Sequence, residues 1–256
     1  MSESVPTGSS AEEVRRRLDE FRQRRGYVLP HQGVMAAALP QLQDIYGVVY
    51  KTLTLDAHHL SAFEREFVWL ALLVAAREKV GTHHIDLFFK TGGTDAQAAA
   101  VFRVAAWAQG AGVYQFLGDS WQQYFPESEA SASYLSGVDA LLKVHPDVDR
   151  GLALLGLAAC HSAVDDHWAL RTVIRACYDS GVPETKLAET LSLVLWPCGV
   201  NRFLEASSVW LDLIRAGEVQ ASAPFRAWAD TPDQEGFYLP PRRKNSNTSD
   251  VVKPQA

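Results

Sequence analysis

The chain has 256 residues, of which 47% are hydrophobic and 21% charged. That is enough apolar text for a sizeable core and too little charge for a disordered chain. Its 24 basic and 30 acidic residues leave a formal net charge of −6, without the basic excess of a nucleic-acid binder. The longest apolar run, residues 67–76, is about half of a membrane span and predicts a buried core helix. Three cysteines without a CxxC argue against a disulfide framework or a zinc knuckle, and fit a reducing, cytoplasmic setting.

In chain order, the opening MSESVPTGSSAEE has neither the basic nor the apolar region of a secretory leader. Ser10 to Glu13 fits a capping box, Val14, Leu18 and Phe21 follow at helical spacing, and Arg25-Gly26 closes this first helix. Pro30 and Pro40 mark a connection into residues 42–50. The basic clusters Arg15–Arg17 with Arg22, Arg24 and Arg25, and Arg242–Lys244, read as solvated surface. From Ser61 to the low 220s the pattern is helical throughout, with Gly and Pro at block ends. The expected architecture is all-α, divided as 1–39 (N-terminal helix and linker), 40–130 and 131–222 (two helical repeats) and 223–256 (flexible C-terminal tail).

The repeat rests on landmarks 89 residues apart: Gly92 with Gly181, Trp107 with Trp196, Gly110 with Gly199, and Trp121 with Trp210. Arg65 pairs with Arg150 at a spacing of 85, so the second copy is read as carrying about four extra residues before Gly181. That pairing puts Gly151 opposite Glu66.

In order, Leu39-Pro40, Ile45-Tyr46, Arg65-Glu66, Ala75-Ala76, His84, Gly92-Gly93-Thr94-Asp95 and Trp107-x-x-Gly110 resemble the carboxymuconolactone decarboxylase/AhpD-like superfamily. Arg150, Ala158-Ala159, Gly181-Val-Pro-Glu184 and Trp196-Pro-Cys-Gly199 resemble it a second time. The resemblance implies two tandem AhpD-like helical repeats and homo-oligomers assembled into a ring, a trimer of doubled chains matching the family's hexamers. It also implies activity as a cofactor-independent lyase on a small organic acid or lactone. The peroxidase branch needs a Cys-x-x-Cys, and its two positions fall here on Arg77 and Val80. Thiol exchange needs both an attacking thiolate and a resolving thiol, so the alkylhydroperoxidase reading is disfavoured.

Decarboxylation without a cofactor needs a proton donor or acceptor near neutral pKa and a cation to hold the substrate carboxylate. The resemblance places its catalytic pair on Glu66 and His84, with His83 in support, and these are the catalytic candidates. His83 and His84 are about 100° apart on a helix, so only His84 is expected to face the site. Arg202 and Arg65 are candidate carboxylate holders, and Trp107 and Trp196 candidate stacking surfaces. No cofactor, nucleic acid or membrane partner is expected. A non-catalytic, ligand-binding helical module stays open as an alternative. So does a metal enzyme built on His161, Asp165 and His167, since His161 and Asp165 stand four apart on an expected helix.

Overall fold

The structure, a computed structural model, describes residues 8–234. Those residues are all-helical, with no strand among them. Residues 1–7 and 235–256, including Arg242–Lys244, lie outside the described part. No helix among the described residues is long and apolar enough to cross a membrane.

Three helices form an N-terminal arm: α1 (Ala11–Arg25), α2 (Pro30–Ala38) and α3 (Pro40–Tyr50). Ser10 accepts a hydrogen bond from the Glu13 amide at the start of α1, and Gly26 ends it with φ 80°, a conformation glycine adopts without a Cβ penalty. The expected connection at Pro30 is instead a helix. Pro30 and Pro40 each occupy a first helical turn, where the missing N–H costs nothing. Helix α1 buries no residue. It is tied down by Arg17, which donates to Asp44 of α3 at 2.8 Å.

Two apolar helices, α4 (Ala62–Ala76) and α9 (Arg150–Val164), pack against each other at the centre. A Ser61–Glu64 capping box starts α4, and Asp149 caps α9 through the amides of Gly151 and Leu152. Phe67, Val68, Leu72, Leu154 and Leu157 are completely buried, each contributing about 1.5–3 kcal/mol. Gly156 lets the two backbones approach, facing Phe67 and Ala71. Both helices have 15 residues and end on a left-handed non-glycine residue, Arg77 and Asp165. Their starts and ends are both 88 residues apart. This corrects the four-residue expansion: Arg150 opens its helix where Ala62 opens the other, and Leu154, not Gly151, stands opposite Glu66.

Around this pair lie α5 (His83–Lys90), α6 (Asp95–Ala108), α7 (Ala111–Phe116), α8 (Ala130–Lys143), α10 (His167–Asp179), α11 (Glu184–Leu193), α12 (Leu195–Cys198) and α13 (Val200–Arg215). Glu189 of α11 reaches the loop before α4, accepting from the amides of His59 and Leu60 at 2.6 and 2.7 Å. The expected flexible tail is corrected in its first part. Ala223–Ala229 forms α14, because Phe225 and Trp228 have Trp210 to pack on, with ring centroids 4.8 and 5.7 Å away.

Trp107 stacks on Tyr134 at 5.9 Å, and a Cβ at Gly137 would enter the Trp107 ring. Gly137→Ala is therefore expected to cost about 1–3 kcal/mol by overpacking. Urea unfolding at pH 7.5 checks this; an unchanged midpoint would mean that Trp107 yields freely.

Candidate functional site

Glu66 enters the site because its place in the second turn of α4 turns it inward, leaving it 1% exposed. The chain reverses after Arg77. Glu78 accepts from the amides of Val80 and Gly81 at 2.8 and 3.0 Å, which tightens the turn into α5. That reversal brings His84 back beside Glu66. His84 Nδ1 donates to Glu66 Oε2 at 2.7 Å, and both side chains are buried. A carboxylate can only accept, so Nδ1 carries the proton and Nε2 keeps the lone pair. Arg65 stands on the other oxygen, with Nε 3.5 Å from Glu66 Oε1. Its Nη1 donates to the Asp56 carbonyl at 2.8 Å. The buried charge of Glu66 thus has partners on both sides, without which its burial would be costly.

Trp69 lies nearly parallel to the His84 ring, at 4.4 Å and 21°. His83 is the second imidazole. Its Nε2 shares a 2.7 Å hydrogen bond with the Tyr50 hydroxyl, and its Nδ1 is buried without a partner. Burial pushes the His83 pKa down to about 4, helped by its nearness to the His84 ring and to the Arg25 guanidinium. His83 is therefore neutral near pH 7. Burial likewise raises the Tyr50 and Tyr46 hydroxyls and lowers His31.

These groups line a cavity of about 300 Å³ between the N-terminal arm, α4, α5 and α12. Tyr46, Tyr50 and Trp196 form an aromatic wall, with Trp196 4.5 Å from Tyr46 and 5.0 Å from Tyr50. Arg25 lines the cavity too, its guanidinium carbon 3.9 Å from the Tyr50 ring centre.

The structure brings together Glu66, His84, His83 and Trp196. The expectation that only one of His83 and His84 faces the site is corrected. Helix α5 begins at His83, so the pair sits in its first turn, with rings 4.1 Å apart, and both line the cavity. Arg65 touches Glu66 and does not line the cavity.

Trp107 belongs to the Tyr134 cluster and is not at this cavity. Arg202 is also elsewhere, paired with Asp165. That pair follows from the end of α9 at Val164, which puts Asp165 in the left-handed conformation and exposed.

The proposed metal trio is corrected by the same helix end. His161 is completely buried and bonded through Nε2 to the Tyr134 hydroxyl at 2.8 Å. His167 is on the surface, 3.2 Å from Asp165. The three do not converge, and no group of three or more His, Cys, Asp or Glu among the described residues is placed to hold a metal ion. Cys160 and Cys177 are buried in the core, and burial pushes both thiols up to about 12.

Sequence reasoning missed Arg25, His31, Tyr46 as a wall residue, and Tyr50. Arg25 read as one of six arginines on a solvated helix. Its one distinguishing mark was its place directly before the Gly26 helix stop, where the chain turns back over the cavity. Compared with protein-family models, curated proteins and solved structures, the chain matches none of them.

Proposed function

We propose that this chain is a carboxymuconolactone decarboxylase-like, cofactor-independent lyase acting on a small organic acid or lactone. The single observation that carries the proposal is the Arg65–Glu66–His84 chain, buried at the edge of an aromatic cavity that also contains a neutral His83. Such a chain presents one nitrogen, Nε2 of His84, for proton transfer, and water is largely excluded around it. In the reaction, the bond between carbon and carboxylate breaks and CO2 leaves. The electron pair passes into a conjugated carbonyl, and a proton is delivered to carbon. His84 takes that proton from solvent onto Nε2 and passes it to the carbon, and Glu66 stabilises the imidazolium while His84 carries two protons.

The doubled family unit is part of the same proposal. Its support is the matched length and left-handed ends of α4 and α9, with Gly92 and Gly181 following α5 and α10 at φ 95° and 70°. A ring-shaped homo-oligomer is also proposed. Exposed apolar residues on α4–α6, among them Val74, Ile85, Phe89 and Phe102, support it. The thiol-peroxidase reading has no support from the cysteines, which burial holds away from the thiolate form.

The test is a panel of unsaturated lactone acids and 3-keto acids incubated in D2O. CO2 release and deuterium at the former carboxyl-bearing carbon, followed by NMR, are the expected result. Binding without CO2 release across the panel would leave the non-catalytic, ligand-binding module as the better reading.

A further inference from the structure

Two polar groups at the cavity have no hydrogen-bond partner, and a third, Arg25, interacts with Tyr50 but has no acidic partner among the described residues. Trp69 is 1% exposed, and its indole Nε1–H is buried without an acceptor. His83 Nδ1 is buried and unpartnered. Arg25 has no carboxylate partner within ion-pairing distance among the described residues; of the arginines on α1 without one (Arg15, Arg24 and Arg25), it alone lines the cavity. Its close neighbours are the faces of Tyr50, at 3.9 Å, and Phe21, at 5.3 Å. The one acidic group lining the cavity, Glu78, already accepts from two backbone amides. Buried donors without acceptors cost stability unless a ligand completes them. A half-buried guanidinium on an aromatic face, beside neutral imidazoles, is a site for a planar anion.

We propose that Arg25 is the carboxylate anchor of this cavity, and that the ligand is a one-ring, planar, aromatic or conjugated carboxylic acid. This rests on the lyase reading for the reaction and deepens it by naming the acid's shape and its holder. A cavity of about 300 Å³ is at the small end of ligand sites, which sets the one-ring limit. Tyr46, Tyr50 and Trp196 offer π faces for a flat body. The anchor comes from α1, whereas the proton-transfer group comes from α5, so the ligand would bridge the N-terminal arm and the central helices.

The test uses benzoate and its neutral isostere benzamide as probes, titrated into the full chain and followed by tryptophan fluorescence and ligand-observed NMR. Wild type should bind benzoate at least about tenfold more tightly than benzamide, the value of one charge-assisted contact. Arg25→Gln should bring benzoate affinity down to the benzamide level, and Arg25→Lys should recover part of the difference. Thermal melts of both variants check that the fold is kept. Equal binding of the two probes to wild type, no binding of either, or unchanged benzoate affinity in Arg25→Gln would each overturn the anchor.

The two proposals fail separately. Arg25-dependent benzoate binding with no CO2 release from any acid would remove the lyase and keep the ligand class. CO2 release with the same KM in Arg25→Gln would keep the lyase and remove the anchor.

Discussion

His84→Gln is expected to lower the turnover of any acid this protein decarboxylates by about 100- to 10,000-fold, the usual contribution of one positioned acid–base group. Three features of the site set that magnitude. Nδ1 is committed to Glu66 at 2.7 Å, which fixes the tautomer. Trp69 stacks on the ring at 4.4 Å and fixes its plane. The residue is 2% exposed, so little bulk water is available to take over its role.

Glutamine keeps most of the volume, and His84→Asn, whose Nδ2 takes the place of Nδ1, keeps the hydrogen bond to Glu66, so a folded variant is available. Circular dichroism and a thermal melt verify that before kcat is measured. Glu66→Gln is expected to act in the same direction, because an amide can present either its oxygen or its NH2 to Nδ1 and the tautomer is no longer dictated. Retained kcat in a folded His84→Gln protein would show that the proton comes from elsewhere, with the Tyr50–His83 pair the next group to examine.

The second large effect is on stability against acid. Burial holds His161 down to about 3 and His83 down to about 4, against 6.5 for the free side chain. The unfolded chain therefore takes up protons near pH 6.5 that the folded chain refuses. Stability is full above pH 6.5 and falls as pH drops through the window toward 3 to 4. His161 alone should remove on the order of 3 kcal/mol by pH 4, a large share of the 5–15 kcal/mol typical of a folded domain.

Urea unfolding at pH 7.5, 6, 5 and 4 measures the fall. Carboxylates such as Glu64, Glu129 and Asp165, held below their usual range with Lys186, backbone amides and Arg202 among the respective causes, also lose stabilising contacts at low pH. His161→Gln separates the contributions. It should cost stability at pH 7.5, where the bond to the Tyr134 hydroxyl is lost or weakened, and yet flatten the slope between pH 6.5 and 4. Identical slopes in wild type and variant would mean that His161 is protonated without penalty.

What could be read from the sequence was what depends on local periodicity. The ten-residue apolar run ending at Ala76 announces a core helix, and α4 buries seven consecutive residues of it, 67–73, leaving Val74 exposed. Glu66 and His84 come from the resemblance, and the reversal after Arg77 brings them together at 2.7 Å. His83 was misread because the angle between the two rings does not decide which one faces a cavity that wraps around the helix start, with Tyr50 of the arm on one ring and Glu66 of α4 on the other. Asp165 failed for the opposite reason: a spacing of four means a shared face only if the helix lasts, and α9 ends at Val164. Trp107 and Trp196, paired by spacing, face different surroundings because α6 runs unbroken through Trp107 while Trp196 sits in the short α12. Arg25, His31 and Tyr50 could not be assigned because the cavity is closed by the folding of the N-terminal arm onto distant helices, and periodicity carries no information about such docking.

The arm itself has a consequence. Helix α1 buries no residue, is joined to α3 by the Arg17–Asp44 ion pair, and delivers Arg25 to the pocket. Contacts of that kind weaken as salt screens them. With Arg25 as the proposed anchor, recognition would rest on a helix that buries no residue of the core. On the Arg25 proposal, a protease cut ahead of Tyr27 is expected to remove the discrimination between an acid and its amide, and high ionic strength is expected to weaken it in the intact protein.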